Sequence, residues 1–186
     1  MIFEDKKIIL KDGTTAILKT PEIEDAETLL DNIKLTASQT DFFSRSPEDW
    51  AGFTADDEKD WIRNVRESKN TLVISCFVNG QAVGSCDITF KNGSKTSHRA
   101  TVGIAIQKKY WNIGIGSAMF NELIKAAENH EGTEYIDLEF VEGNDRAKAL
   151  YEKFGFKVVG ERPNAFKLKD GRLLKEYFMQ KELKKK

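Results

Sequence analysis

The sequence predicts an α+β (mixed α/β) fold: a single domain on a twisted, mostly antiparallel sheet of about seven strands, flanked by helices. Three observations carry this. The chain has 186 residues with no internal repeat, low-complexity linker or compositional break, which suits one core. Short apolar runs punctuated by glycine turns give antiparallel strands up to residue 106, with two helical stretches among the first 70 residues. After that point, strong helical patterns alternate with strands, so the C-terminal half reads β-α-β-α-β.

Each element has its own signal. Ile8 to Thr20 reads as two strands around Lys11-Asp12-Gly13. Glu22 to Lys34 is helical, with Ala26, Leu29, Leu30 and Ile33 on one face. Ser46-Pro47 has the form of a capped helix start, and Asp57 to Ser68 gives a further helix with Trp61, Ile62 and Val65. Thr71–Val78 and Ala82–Phe90 form a hairpin across Asn79-Gly80. Ala100 to Ile106 alternates as a strand. Ile115 to His130 is an amphipathic helix with Met119, Phe120, Leu123, Ile124 and Ala127 inward. Tyr135 to Val141 is a strand, and Asp145 to Phe154 a helix ended by Gly155. Phe156 to Gly160 and Leu173 to Leu183 are the last strands, and 184–186 a frayed tail.

Composition narrows the function classes. Hydrophobic residues make up 40% and charged residues 32%, with 12 Phe and 3 Trp, which argues against disorder. Lys+Arg is 29 against Asp+Glu 30, so a general cationic coat for nucleic acid is excluded. The longest apolar run, Leu72 to Val78, is far too short for a membrane span, and Met1-Ile2-Phe3-Glu4-Asp5 lacks the build of a signal peptide. The expectation is a cytoplasmic protein with neither membrane nor nucleic-acid partners. If Asn79-Gly80 forms the loop, Cys76 faces Val83 and Cys86 faces Val73, on opposite faces of the sheet, which disfavours a disulfide. With only His98 and His130 besides, no metal-ligand cluster is present in the sequence.

Two segments carry chemistry. In Gln107-Lys108-Lys109-Tyr110-Trp111-Asn112-Ile113-Gly114-Ile115-Gly116-Ser117, a strand leads through a glycine turn into a helix. Glycine lets the backbone approach a ligand, and the helix start presents unpaired N–H groups and partial positive charge. From Ile104 to Asn121 there are two Lys and no Asp or Glu. An anionic ligand, with pyrophosphate as the best fit, is implied. Tight helix–strand packing accounts for the same glycines. A P-loop is excluded for want of Gly-Lys-Ser/Thr. A dinucleotide-binding unit, with Glu139 on the ribose, is the weaker alternative, because Met119 stands where a small residue is needed. The second segment is Asn144-Asp145-Arg146-Ala147-Lys148-Ala149-Leu150-Tyr151-Glu152-Lys153-Phe154-Gly155-Phe156. Asn144 is a good helix cap, and Tyr151, seven residues on, falls on nearly the same face. Cap plus core tyrosine is the plain reading of that pair.

Together the two segments resemble the GNAT superfamily of acetyl-CoA-dependent N-acetyltransferases. The turn at 111–116 looks like its pyrophosphate loop, and Asn144 through Phe156 like its more specific downstream motif. Leu10-Lys11-Asp12-Gly13, Pro21…Asp25-Ala26, and the ending Gly160-Glu161-Arg162…Asp170-Gly171…Glu176-Tyr177-Phe178-Met179 are similar to the ribosomal-protein N-acetyltransferase branch. The resemblance implies a single GNAT-like domain over 1–186. Within it, 1–70 would be the variable substrate side and 71–183 the acetyl-CoA-binding core. It also implies acetyl-CoA as cosubstrate, no metal, and acetylation of a primary amine on a small molecule or a protein N-terminus. Pairing of late strands between two subunits, a homodimer, is common in that family. A non-catalytic acyl-CoA-binding member is the alternative.

By the same resemblance, backbone groups of Ile104, Ala105 and Ile106 would pair with the pantetheine arm. Backbone N–H groups of Trp111, Asn112, Ile113, Gly114, Ile115, Gly116 and Ser117 would hold the pyrophosphate. Asn144 would bond the pantetheine, and Tyr151 would serve the thioester sulfur as a hydrogen-bond or proton donor. The family often has Arg or Gln at the start of the loop, where this chain has Trp111. An alkylamine is mostly protonated at neutral pH and needs a proton acceptor before it can attack. Thr101 stands where many members have a glutamate. Glu139 is the preferred base, with His98 or water as alternatives.

Overall fold

The computed structural model describes residues 1–183. Its eight strands form one open sheet in the order β1-β2-β3-β4-β5-β6-β8-β7, one strand more than expected. β1 (Lys6–Ile9) and β2 (Thr15–Lys19) turn at Gly13, whose φ is +84°. α1 (Ala26–Gln39) follows a short 3-10 turn and runs five residues beyond the expected end. Ser46 caps a 3-10 turn at Pro47–Trp50, not a longer helix, and Thr54 and Asp57 form the capping box of α2 (Ala55–Glu67). β3 (Thr71–Val78) and β4 (Gln81–Phe90) close at Asn79-Gly80, both at positive φ, the turn that matches strand twist.

That hairpin corrects one expectation. Val78 pairs with Gln81 and Phe77 with Ala82, but Cys76 pairs with Gly84. Val83 is therefore a bulge residue, and every later pair moves by one. Cys86 lies opposite Ile74, so both cysteines face the same side and join the main core. They are free and buried, and burial pushes the Cys76 thiol up to about 12.

The second half runs β5 (Arg99–Ile106), α3 (Ile115–Asn129), β6 (Tyr135–Val141), α4 (Asp145–Lys153), β7 (Lys157–Lys167) and β8 (Leu173–Glu182). β7 extends seven residues past its expected end. It is an edge strand with irregular pairing around Pro163, which an edge tolerates. Ile115, Met119, Phe120, Leu123, Ile124 and Ala127 of α3 fill the core on one sheet face. α1 and α2 cover the other, where Ala26, Leu29 and Ile62 meet Phe77 and Ala82. Among the described residues β5 and β6 are the one parallel pair, so a doubly wound dinucleotide fold is excluded. Their pairing stops at Thr101↔Asp137. Beyond it the two strands part, and the gap between them positions the site. The expected tail at 184–186 lies outside the described residues.

Candidate active site

The parting of β5 and β6 creates a cleft of about 300 Å³. Ile104, Ala105 and Ile106 form one wall, Glu139 and Phe140 the other, with Trp111, Asn144 and Tyr151 alongside. Seven of the residues predicted from sequence thus converge on one cleft. The hydrogen-bond pattern decides which of them offer backbone groups. Gln107 N–H donates to the Val83 carbonyl at 3.0 Å, so the alternation of an antiparallel ladder turns Ala105 and Gly103 toward β4. Ile104 and Ile106 then turn their N–H groups into the gap. This corrects Ala105, whose backbone is engaged by β4 and which serves the cleft only as wall. The Ile106 carbonyl is occupied too, accepting from Trp111 Nε1 at 2.7 Å. Trp111 therefore packs against the sheet, and its ring carries the Arg146 guanidinium at 3.7 Å.

A second cavity, of about 440 Å³, adjoins the first at Ile106, Trp111 and Arg146. Asn112, Gly114, Gly116 and Ser117 line it. Asn112 (φ +65°) and Gly114 (φ +108°) bend the loop so that α3 starts facing the cavity. No side chain caps α3, and its first internal bond runs from Ala118 N–H to the Gly114 carbonyl. The preceding N–H groups are left for a ligand. Gly116 has a packing role as well: a Cβ there would meet Leu150 Cδ2 at 3.3 Å and Ile106 Cδ1 at 3.4 Å. Ile113 and Ile115 do not reach the cavity with their side chains. Ile115 is fully buried, and the Ile113 carbonyl takes the Lys11 N–H at 2.9 Å. Among the described residues three cations, Lys11, Arg146 and Lys153, line this cavity and no acid does. Sequence reasoning missed all three. Arg146 and Lys153 are seven residues apart on one face of α4, but Lys11 comes from a distant hairpin turn that no spacing ties to them.

α4 positions the polar pair. Asn144 Oδ1 accepts from Ala147 N–H at 3.3 Å, as a cap, which leaves its NH2 for a ligand. The far end is closed by Gly155 (φ +86°): its N–H bonds Glu152, and Phe156 N–H bonds the Tyr151 carbonyl. Tyr151 is held among Phe120, Phe140 and Phe156, is 6% exposed, and lines the cleft. Burial pushes its phenol up to about 12, opposed by Arg146. A phenol so raised stays protonated and is a standing hydrogen-bond donor.

Glu139 is exposed at the mouth of the cleft. Its neighbour on the same face is Glu176 of β8, a buried carboxyl raised by burial and by Glu139, against the pull of Arg162. Arg162 Nη1 lies 2.8 Å from Glu176 Oε2 as an ion pair. Extending the β5–β6 register brings Glu139 level with Gly103, which pairs with Asp87. His98 does not belong here. It precedes β5, packs edge-on to Tyr135, and lies six residues from Ile104, about 20 Å along a strand. Thr101 faces a neighbouring groove with Glu139 rather than the cleft. Among the described residues no group of three His, Cys, Asp or Glu could hold a metal ion, and no helix is long and apolar enough to cross a membrane.

A split parallel pair, a helix start beside three cations and a capped helix carrying a phenol thus meet at these two cavities. The Acetyltransferase (GNAT) family model matches residues 35–156, and the chain belongs to that family. It is 28% identical over 119 residues to an L-amino acid N-acetyltransferase of Escherichia coli (strain K12), covering 64% of this chain and 73% of that one. Its fold is similar to a GNAT-family acetyltransferase from Streptococcus pneumoniae, with a TM-score of 0.82, 26% identity, and 90% and 99% of the two chains covered. It is also similar to a putative acetyltransferase from Salmonella typhimurium solved with its cofactor acetyl-CoA, with a TM-score of 0.76, 16% identity, and 91% and 94% covered.

Proposed function

We propose that this protein is an N-acetyltransferase that moves the acetyl group of acetyl-CoA to a primary amine. The observation that carries the proposal is the continuity of the two cavities. An unpaired β5 edge, a phenol and a cationic cradle lie in one run from Glu139 to Lys153. The ligand fits this run in chemistry: phosphates for the cradle, an amide-bearing arm for a strand edge, and a thioester for the Tyr151 end.

The residues divide the work. Lys11, Arg146, Lys153 and the first N–H groups of α3 hold the phosphates. Asn144 NH2 and the Ile104 backbone bond the arm. Acetyl-CoA supplies an activated acyl carbon and a thiolate leaving group. The amine nitrogen bonds to that carbon as the C–S bond breaks. The Ile106 N–H steadies charge on the carbonyl oxygen. The proton lost by the amine goes to Glu139, directly or through a water, since its carboxylate stands at the cleft mouth. Tyr151 donates a hydrogen bond to the departing sulfur. Full proton transfer from a phenol near 12 to a thiolate with a usual pKa of about 8.5 is uphill, so the bond rather than the proton is its contribution.

The direct test is release of free CoA thiol from acetyl-CoA in the presence of an amine panel. The proposal expects amine-dependent release and an N-acetylated product by mass. Acetyl-CoA binding with no amine-dependent release from any class would favour a non-catalytic binder instead.

A further inference from the structure

The acceptor class follows from a chamber on the opposite sheet face, given the N-acetyltransferase reading above. This cavity, of about 520 Å³, lies between β4, β5, α1, α2 and the Pro47–Trp50 turn, a size that suits a small molecule. It meets the cleft along Gly103, Ile104 and Ala105, where the thioester would lie.

Two carboxylates face the chamber, Glu58 from α2 and Asp87 from β4. Glu58 is 8% exposed. Among the described residues neither carboxylate has a hydrogen-bond donor or a cation as partner; burial alone governs both, raising Glu58 to about 7 and Asp87 to about 6. Gly103 makes the room: Asp87 Oδ1 sits 2.9 Å from where a Cβ on Gly103 would be. The walls are aromatic, with Trp50 and Phe53 edge-to-face at 5.3 Å and Trp61 beside them. Trp50 Nε1 is buried without a partner. The cation that lines the chamber, Arg45, is exposed and stacked on Trp50 at 5.0 Å.

Unpaired carboxylates in an apolar chamber are costly unless a cation joins them. A ligand ammonium does so, and aromatic faces attract it further. A free α-amino acid would place its own carboxylate beside the amine, against Asp87 and Glu58. We propose that the acceptor is a small primary amine with an apolar or aromatic body, its ammonium received by Asp87 over Gly103, its body lying on Trp50, Phe53 and Trp61, and Glu58 adding negative charge to the same chamber.

Calorimetry with phenylethylamine, with and without CoA, tests the chamber apart from the transfer reaction. CoA release is then compared for phenylethylamine, hexylamine, phenylalanine and an alanine-led peptide. The two monoamines should be the best acceptors. Asp87→Asn should raise their KM by about 30-fold or more while acetyl-CoA affinity holds. Glu58→Gln, which removes the chamber's second charge without volume, should act in the same direction and more weakly. Preference for phenylalanine or the peptide, or an unchanged KM in both variants, would overturn the proposal. If CoA binds and phenylethylamine does not, the chamber assignment alone falls. If phenylethylamine binds through Asp87 and CoA does not bind, the transferase reading falls and the amine chamber stands.

Discussion

Tyr151 is the residue on which binding and chemistry separate. Its ring is held among three phenylalanines, and the residue lines the cleft. Tyr151→Phe keeps the packing and removes the donor. Turnover should fall by about 10²-fold with acetyl-CoA affinity unchanged. Stopped turnover assays and a binding titration read the two effects separately, and an unchanged rate would remove Tyr151 from the chemistry. Glu58 gives a prediction about stability. Its carboxyl is raised to about 7 from an ordinary 4.5, so the folded state holds the proton more tightly than the unfolded one. The favourable contribution is complete below about pH 4.5 and is lost as pH climbs through about 7. Glu58→Gln should therefore raise the Tm at pH 8 by about 2–4 °C and leave it nearly unchanged at pH 4.5, as thermal melts would record. Asp87, raised to about 6, faces the same chamber and adds to the slope, so the variant should flatten the pH dependence without abolishing it.

At the scale of elements, the loop before α3 is where local geometry and the proposed phosphate binding coincide. Gly114 needs a φ of +108°, which a branched side chain resists, while a Cβ there would meet Lys11 Cγ at an ordinary 3.9 Å. Gly114→Val should lower the Tm and weaken acetyl-CoA binding by about tenfold or more, through a displaced helix start. Unaltered binding by titration would mean that the loop does not carry phosphate. Elements with local signals were legible in the sequence. Asn79-Gly80, the Asn144 cap, the Gly155 stop and the α3 face each depend on residues within a few positions, and each stands where expected. The bulge at Val83 was not legible, because nothing in Gln81-Ala82-Val83-Gly84 fixes which residue drops out of the ladder. The cationic cradle and the Glu58–Asp87–Trp50 chamber were also hidden. Their members come from hairpin, helix, turn and strand, and only the closed fold brings them together.

For the whole molecule, the fold is a sheet that one parallel pair splits open. Acetyl-CoA would enter from the α3–α4 side and the acceptor from the α1–α2 side, meeting at Gly103–Ile106. In the proposed function the split and its cradle hold acetyl-CoA. The measurement that tests it most directly is thermal unfolding with acetyl-CoA, CoA or NAD present. A ligand at one hundred times its Kd adds about 2.7 kcal/mol, or about 5–10 °C in a chain of this size. Acetyl-CoA and CoA should each give that upward shift, and NAD none. No shift with either CoA species at millimolar concentration, or a shift with NAD alone, would contradict it.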